Sequence, residues 1–283
     1  MSAEGTFVSW EDAVSWLRRQ PDKAQLVREC YYDDPPLAAA NRYLTSDEWV
    51  AVRAILAGRC GRALDVGAGR GIASYALARD GFAVTALEPD PSALVGADAI
   101  RALAHESGLP IAVVEQVSEG LPFANAQFDL VFARAALHHA RDLAAACREF
   151  LRVLKPGGLF LAIREHVISK PADLPRFFAQ HPLHHLYGGE NALLLAQYRA
   201  AISGAGFRKL AVLSPWQSPI NYAPRNLAAL KDELAARAAA PLPALRRALR
   251  SALDVSAVWQ VTRAALERID SRPGRLYSFV AQP

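Results

Sequence analysis

Three glycines at alternate positions, Gly67, Gly69 and Gly71, follow a short apolar run that carries Asp65 near its end. Glycine adopts positive φ without a steric penalty and lets a ligand approach the main chain closely. Such a strand, glycine turn and helical pattern build a nucleotide pocket at the carboxyl edge of a parallel sheet. The spacing is G-x-G-x-G, because Ile72 and Ala73 follow Gly71 directly, so the dinucleotide fingerprint G-x-G-x-x-G is absent. A second acid, Glu88, closes the apolar stretch Phe82 to Leu87 and lies 23 positions after Asp65. That offset is close to the roughly 20 residues at which a carboxylate meets ribose hydroxyls in Rossmann-like sheets. A tight turn or a strand-end charge explains either feature alone; together they favour a ribose-bearing ligand.

Histidine supplies the second set of reactive groups. Five of the seven histidines fall in two stretches, His138-His139 and His181 to His185. His166 ends the segment Arg164-Glu165-His166, at the carboxyl end of an apolar strand, where open α/β sheets place ligand chemistry. The run from His181 through Tyr187, Gly188, Gly189, Glu190 and Asn191 follows in the connection to the next helix. Imidazole is the usual proton acceptor near neutral pH. His138, His139, His166 and Tyr187 are therefore the candidates for acid–base work. Arg164, Glu165, His184, His185, Glu190 and Asn191 are the candidates for substrate contact. Gly188-Gly189 reads as a sharp start to a helix whose first N–H groups receive an anion such as a carboxylate. A metal held by His181, His184, His185 and Glu190 is the weaker reading, since His-x-x-His-His is no recognised zinc spacing and no cysteine joins it. No metal is expected.

The segments Leu121-Pro-Phe123, Phe128-Asp-Leu-Val-Phe132, Leu137-His138-His139 and Leu151 to Gly158 occur in that order. With the glycine loop, this order resembles the class I S-adenosylmethionine-dependent methyltransferases. Within them it is similar to the broad small-molecule branch called methyltransferase type 11, from about residue 60 to 165. The resemblance implies a doubly wound fold, S-adenosylmethionine as cofactor, and a methionine end lying near Gly67 and Gly69 with loop N–H groups facing it. The cofactor contacts so implied are Asp65, Gly67, Ala68, Gly69, Glu88, Pro89, Gln116, Val117, Ser118 and Arg134. Many relatives carry an acid for the adenine amino group where this chain has Val117. Gln116, Ser118 or a backbone group takes that task here. The methyl carbon of a sulfonium is already electrophilic, so alignment is the protein's main contribution and a base is needed only for a protonated nucleophile. At the position of His139 relatives often carry histidine, where it serves folding as much as chemistry.

These residues need a scaffold. The chain of 283 residues is 52% apolar, enough for a sizeable core, and has no uncharged run of membrane-spanning length. Its start, Met1 to Thr6, lacks a basic, apolar leader. The three cysteines, Cys30, Cys60 and Cys147, are widely spaced and read as small buried hydrophobes in a reducing, cytoplasmic setting. A net charge of +4 with scattered basic residues argues against nucleic acid; Arg246, Arg247 and Arg250 read as a solvated helix face. Ser9 to Asp12 and Thr45 to Glu48 have helix-start spacing, giving three or four short helices over 10–57. In relatives such helices form a lid, which makes Tyr31 and Tyr32 substrate-side candidates.

The expected fold is α/β: a doubly wound, seven-stranded, mostly parallel Rossmann-like sheet. A helical lid spans 1–58, the core 59–213 and 274–283, and a helical insertion 214–273 precedes the last strand. The insertion, with helices at 226–238, 242–253 and 256–269, covers the active site or mediates a homodimer. The expected function is methyl transfer to an oxygen or nitrogen of a small polar metabolite, with no nucleic acid and no membrane as partner. The alternatives are attack on another sulfonium carbon (cyclisation or aminocarboxypropyl transfer, releasing methylthioadenosine), a nicotinamide-dependent oxidoreductase, and a binder that keeps the pocket without catalysis. An RNA or protein methyltransferase is a further alternative; the absent Asn-Pro-Pro-Tyr type of motif argues against methylation of base amino groups, and the scattered charge against long nucleic acid.

Overall fold

The computed structural model describes residues 7–283, so the expectation drawn from Met1 to Thr6 lies outside it. Four helices come first: α1 (Trp10–Arg18), α2 (Ala24–Glu29), α3 (Pro36–Leu44) and α4 (Asp47–Leu56). Ser9 caps α1 by accepting the Asp12 N–H, as its spacing predicts. The cap of α4 is Ser46 rather than Thr45, with its hydroxyl on the Trp49 N–H; Thr45 instead bonds back to Asn41 and Arg42. That one-residue shift frees Glu48 from capping and turns it inward.

Alternating strands and helices follow. They are β1 (Gly61–Val66), α5 (Ile72–Arg79), β2 (Phe82–Leu87), α6 (Ala97–Ser107), β3 (Ile111–Val114), β4 (Phe128–Arg134), α7 (Leu143–Val153) and β5 (Leu154–Ile168). Then come α8 (Leu174–Gln180), α9 (His184–Tyr187), β6 (Leu193–Leu194), α10 (Leu195–Ala205) and β7 (Lys209–Leu213). The strands run in the order β3-β2-β1-β4-β5-β8-β7, where β8 (Arg275–Gln282) is antiparallel to both neighbours. The sheet has eight strands, not seven. The extra one is β6, whose two residues pair with Val167 and Ile168 at the end of β5. It occupies the start of a helix expected from Asn191, and α10 accordingly begins at Leu195.

Period-two alternation distributes the strand side chains between two cores. Ala63, Leu130, Phe132, Leu159, Leu161 and Ile163 face α3, α4 and α5. Leu64, Val66, Val131, Ala133, Phe160 and Ala162 face α7 and α10. A parallel sheet covered on both faces requires near-continuous apolar strands, which these are. Phe132 and Phe160 are fully buried, one in each core. Truncating either to alanine would cost about 3–5 kcal/mol.

The 1–58 segment therefore has two parts. Helices α3 and α4 are a covering layer of the sheet, through Ala39, Ala40, Tyr43, Trp49 and Val52. Helices α1 and α2 pack elsewhere, with Val14, Leu17 and Val27 against Val95 and Leu183. The 214–273 segment forms α11 (Pro219–Tyr222), α12 (Leu227–Ala238), α13 (Arg246–Asp254) and α14 (Ser256–Ile269). Its first helix seats Ile220 in the core under α4, and Trp216, Tyr222 and Leu230 form a small core of their own. Arg246 and Arg247 are exposed, while Arg250 pairs with Asp232 and Asp254. Cys147 is buried, but Cys30 and Cys60 are exposed, which corrects the reading of all three as buried hydrophobes. Among the described residues no helix is long and apolar enough to cross a membrane.

Candidate active site

The glycine turn leaves β1 with Gly67, Gly69 and Gly71 all at positive φ, near 62°, 56° and 83°. At Gly67 the need is steric as well, since a Cβ there would stand 2.7 Å from the Ala136 Cβ. The loop after β4 thus packs directly on the bare backbone of the loop after β1. The N–H groups of Gly67, Ala68 and Gly69 are not free for a ligand. Gly67 and Ala68 donate to the Leu87 carbonyl at the end of β2, and Gly69 donates to Glu88 Oε2 at 2.7 Å. The expectation of loop N–H groups facing the methionine end is corrected accordingly for Gly67, Ala68 and Gly69. Among the described residues nothing donates to the carbonyl oxygens of Gly67 and Gly69, so the turn offers acceptors suited to an ammonium.

Asp65 sits at the floor of this turn, 1% exposed. Ser74, within the first turn of α5, donates its hydroxyl to Asp65 Oδ2 at 2.6 Å, while Oδ1 is buried with no hydrogen-bond partner. Burial drives the Asp65 carboxyl up to about 7, against the lowering effect of Ser74 and the Arg134 charge. Glu88 is also pushed up by burial to about 7, although backbone N–H groups of Asp90 and Gly69 favour its charge. Each Glu88 oxygen holds one N–H and keeps acceptor capacity for a hydroxyl. Pro89 follows at the exposed rim. Gln116 caps the Val117 N–H with its own side chain, Ser118 contacts Glu119, and Val117 presents an apolar surface that is 47% exposed. An orphaned carboxylate oxygen, a free pair of carbonyls, an acid with spare acceptor sites and an apolar rim together fit an adenosyl sulfonium amino acid.

Two expected contacts are committed elsewhere. Arg134 forms a two-point ion pair with Glu48 at 2.7 and 3.1 Å and lies over the rings of Tyr43 and Tyr31. It ties α4 to the end of β4 instead of reaching the cofactor turn. Arg164, at φ 61°, donates to the carbonyls of Ile220 and Ala223 and so anchors the insertion rather than a substrate. Tyr31 is buried edge-on against Tyr43. Tyr32 packs with Trp10, whose ring also meets Tyr187 at 4.5 Å. The two tyrosines thus face different layers.

The histidines converge. His138 and His139 have ring centroids 4.2 Å apart, and His166 lies 4.8 Å from His138. Glu165, fully buried, accepts the backbone N–H groups of Ala136, Leu137 and His138 and faces His138 Nδ1 at 2.8 Å. It holds the loop after β4 rather than touching a substrate. Burial opposes the charge of Glu165, yet His138 and these N–H groups keep it below the usual carboxylate range. For His138 burial likewise disfavours charge, but contact with Glu165 and Glu190 raises it to about 9. His166 goes the other way, to about 4, through burial and the His138 charge.

His139 is exposed, with Nδ1 3.2 Å from the Gly189 carbonyl. Partial desolvation, then the neighbouring His138 charge, keeps it below the ordinary imidazole value. Glu190 projects toward this group, hydrogen-bonded by the Tyr187 hydroxyl. The glycine pair before it does not open a helix. Gly188 ends α9 in the left-handed region, and the chain then turns a carboxylate, not an anion-binding N–H row, into the cleft. His184 stacks on Phe178 at 3.9 Å and His185 meets Trp16, so both leave the cluster; Asn191 caps its own neighbour, Ala192. Ser74 and Glu48 were not foreseen. A serine one turn past a glycine loop is a readable signal; Glu48, 86 positions from Arg134, carries none.

Comparison with known proteins agrees with this geometry. Residues 64–162 match the family model described as a methyltransferase domain. The ubiquinone biosynthesis O-methyltransferase of Methylobacterium sp. (strain 4-46) is 38% identical over 99 residues, 35% of this chain and 39% of that protein. The enzyme of the same name from Methylobacterium nodulans is 33% identical over 147 residues, 50% of this chain and 58% of its own. The chain thus spans about half the length of the curated relatives it matches. Among solved structures, the [4+2]-cyclase SpnF superposes with TM-score 0.51 at 23% identity, covering 87% of this chain and 82% of its own. Haemonchus contortus phosphoethanolamine N-methyltransferase 2, in complex with S-adenosyl-L-methionine, gives 0.52 at 17% identity, covering 91% and 59%. These two carry the fold only. Residues 64–162 thus match a methyltransferase domain, and the sheet that carries them has the fold of these S-adenosylmethionine-type structures.

Proposed function

We propose that this chain transfers a methyl group from S-adenosylmethionine to an oxygen or nitrogen of a small polar molecule. The observation that carries the reading is the exposed His139 imidazole, held one loop away from the Asp65–Glu88 pocket. The cofactor, when bound, supplies an electrophilic methyl carbon on sulfur. Asp65 and the Gly67 and Gly69 carbonyls would hold its ammonium, Glu88 its ribose hydroxyls, and the 116–118 segment its adenine. The Gly189 carbonyl can only accept, so the His139 proton stays on Nδ1 and Nε2 keeps a lone pair. That lone pair can take the proton of an incoming hydroxyl or amine. His138, clamped between two carboxylates, is a positioning residue. Helices α1 and α2, packed on the 183–187 segment, form the lid over the acceptor side.

The test pairs two measurements. The chain should bind S-adenosylhomocysteine, and labelled-methyl transfer into a fractionated metabolite extract should give one methylated product. His139→Ala should lower that transfer by about 10²–10⁴, the range for loss of a proton acceptor, with S-adenosylhomocysteine affinity unchanged. Absence of nucleoside binding, or undiminished transfer in the variant, would overturn the proposal.

A further inference from the structure

We infer that the acceptor cleft is a binding site for one divalent transition-metal ion, held by His138, His139 and Glu190. The inference rests on the methyl-transfer reading for the acceptor cleft; in the loaded protein the His139 lone pair is taken by the ion, and the ion's open position, not His139, meets the acceptor. Each donor is prepared by a second contact. The Glu190 carboxylate is 8% exposed and is gripped on one side only. Oε1 receives the Tyr187 hydroxyl and lies 3.4 Å from His181 Nε2. Oε2 is buried without a hydrogen-bond partner and stands 3.6 Å from His138 Nε2. An acceptor oxygen with no partner inside hydrogen-bond distance at that depth leaves room for an ion beside His138.

The two imidazoles are set in the complementary way. His138 Nδ1 faces Glu165, which already accepts three backbone N–H groups, and His139 Nδ1 faces the Gly189 carbonyl. Neither partner can donate, so each ring keeps a proton on Nδ1, and His138 turns Nε2 toward Glu190, where an ion would displace the proton that the free protein holds there. A carboxylate or carbonyl behind each ring is the outer arrangement that metal-ligating histidines show. One donor atom from each of the three residues lies within 4.8 Å of the others. Tetrahedral bonds of about 2.1 Å place donors about 3.4 Å apart, so the His138–Glu190 edge is already near its loaded length.

Two imidazoles and one carboxylate favour zinc, iron, cobalt or nickel over magnesium or calcium, which want oxygen donors. Three protein ligands leave a position open, as in catalytic rather than structural sites. It opens on the side of exposed His139, toward the acceptor, and suits a hydroxyl or carboxylate oxygen. The histidines that the sequence alone grouped with Glu190, His184 and His185, take no part. His181 acts only by holding Oε1.

The untagged full-length chain, stripped with chelator, should take up one Zn(II) per chain in equilibrium dialysis. Co(II) in its place should give the visible bands of a four- or five-coordinate nitrogen–oxygen site. Glu190→Gln and His139→Ala should each weaken Zn(II) binding at least tenfold, and Glu165→Gln by about 10–100-fold. His105→Ala, on the far helix α6, should leave it unchanged. S-adenosylhomocysteine binding should persist in all four variants, which separates this inference from the methyl-transfer reading. No stoichiometric uptake of either ion, or uptake indifferent to both Glu190→Gln and His139→Ala, would overturn it.

Discussion

Replacing Asp65 by asparagine should stabilise the ligand-free protein at neutral pH, and the gain should grow as pH rises. Asp65 has its carboxyl driven by burial to about 7, from an unfolded value near 3.8. Between those two values the unfolded chain has released the proton and the folded chain retains it. The folded state then binds more protons than the unfolded one, so stability falls as pH increases through this window. Below it both states are protonated and the penalty is absent; above about 7 both are ionised and the penalty is complete. Three pH units at about 1.4 kcal/mol each give a penalty of order 4 kcal/mol. Asparagine keeps the acceptor for the Ser74 hydroxyl and never ionises. Urea unfolding of both proteins, freed of bound nucleoside, should be followed from about pH 4.5 to about pH 8. The difference in unfolding free energy should climb across the window and level off above it. A flat difference would mean that Asp65 is ionised in the fold, and would refute the reasoning from desolvation. Asp65→Asn should also bind S-adenosylhomocysteine more weakly, because stability and recognition pull on this carboxylate in opposite directions.

Other outcomes follow from the same contacts. Gly67→Ala places a Cβ 2.7 Å from Ala136 at a φ of 62°, so S-adenosylhomocysteine affinity measured by calorimetry should fall by at least about tenfold. Wild-type affinity would show that the two loops can separate freely. Glu48→Ala strips the partner from the Arg134 guanidinium, which the Glu48 charge otherwise holds above its ordinary value against burial. Loss of about 3–5 kcal/mol in urea unfolding is expected, with nucleoside affinity of the folded protein retained. Weakened binding at unchanged stability would instead return Arg134 to the cofactor.

The strands were legible because a sheet buried on both faces leaves uninterrupted apolar runs, such as Phe128 to Phe132 and Leu159 to Ile163. The glycine turn was legible because its residues are bound by backbone geometry, which only glycine satisfies at Gly67. The insertion helices were located to within a few residues by their composition alone. What stayed hidden depends on pairing between distant positions. The use of the loop N–H groups by the Leu87 carbonyl follows from how β1 and β2 align, which no local pattern records. Arg134 looked available because Glu48 lies on a helix 86 positions earlier. Likewise, Glu190 was grouped with His181, His184 and His185, and its approach to His138 depends on the turn at Gly188-Gly189. β6 was missed for a plainer reason: two leucines are too short a run to distinguish a strand from the first residues of α10.

The placement of β8 has a consequence for how the molecule is made. β7 touches the sheet only through β8, and β8 is the last described element to leave the ribosome. Throughout synthesis of the intervening helices, one flank of β5 has no long partner, although both cores beside it are already assembling. A nascent chain stalled before Arg275 would expose that rim to pairing with other chains. Completion of the eight residues of β8 is what seals it.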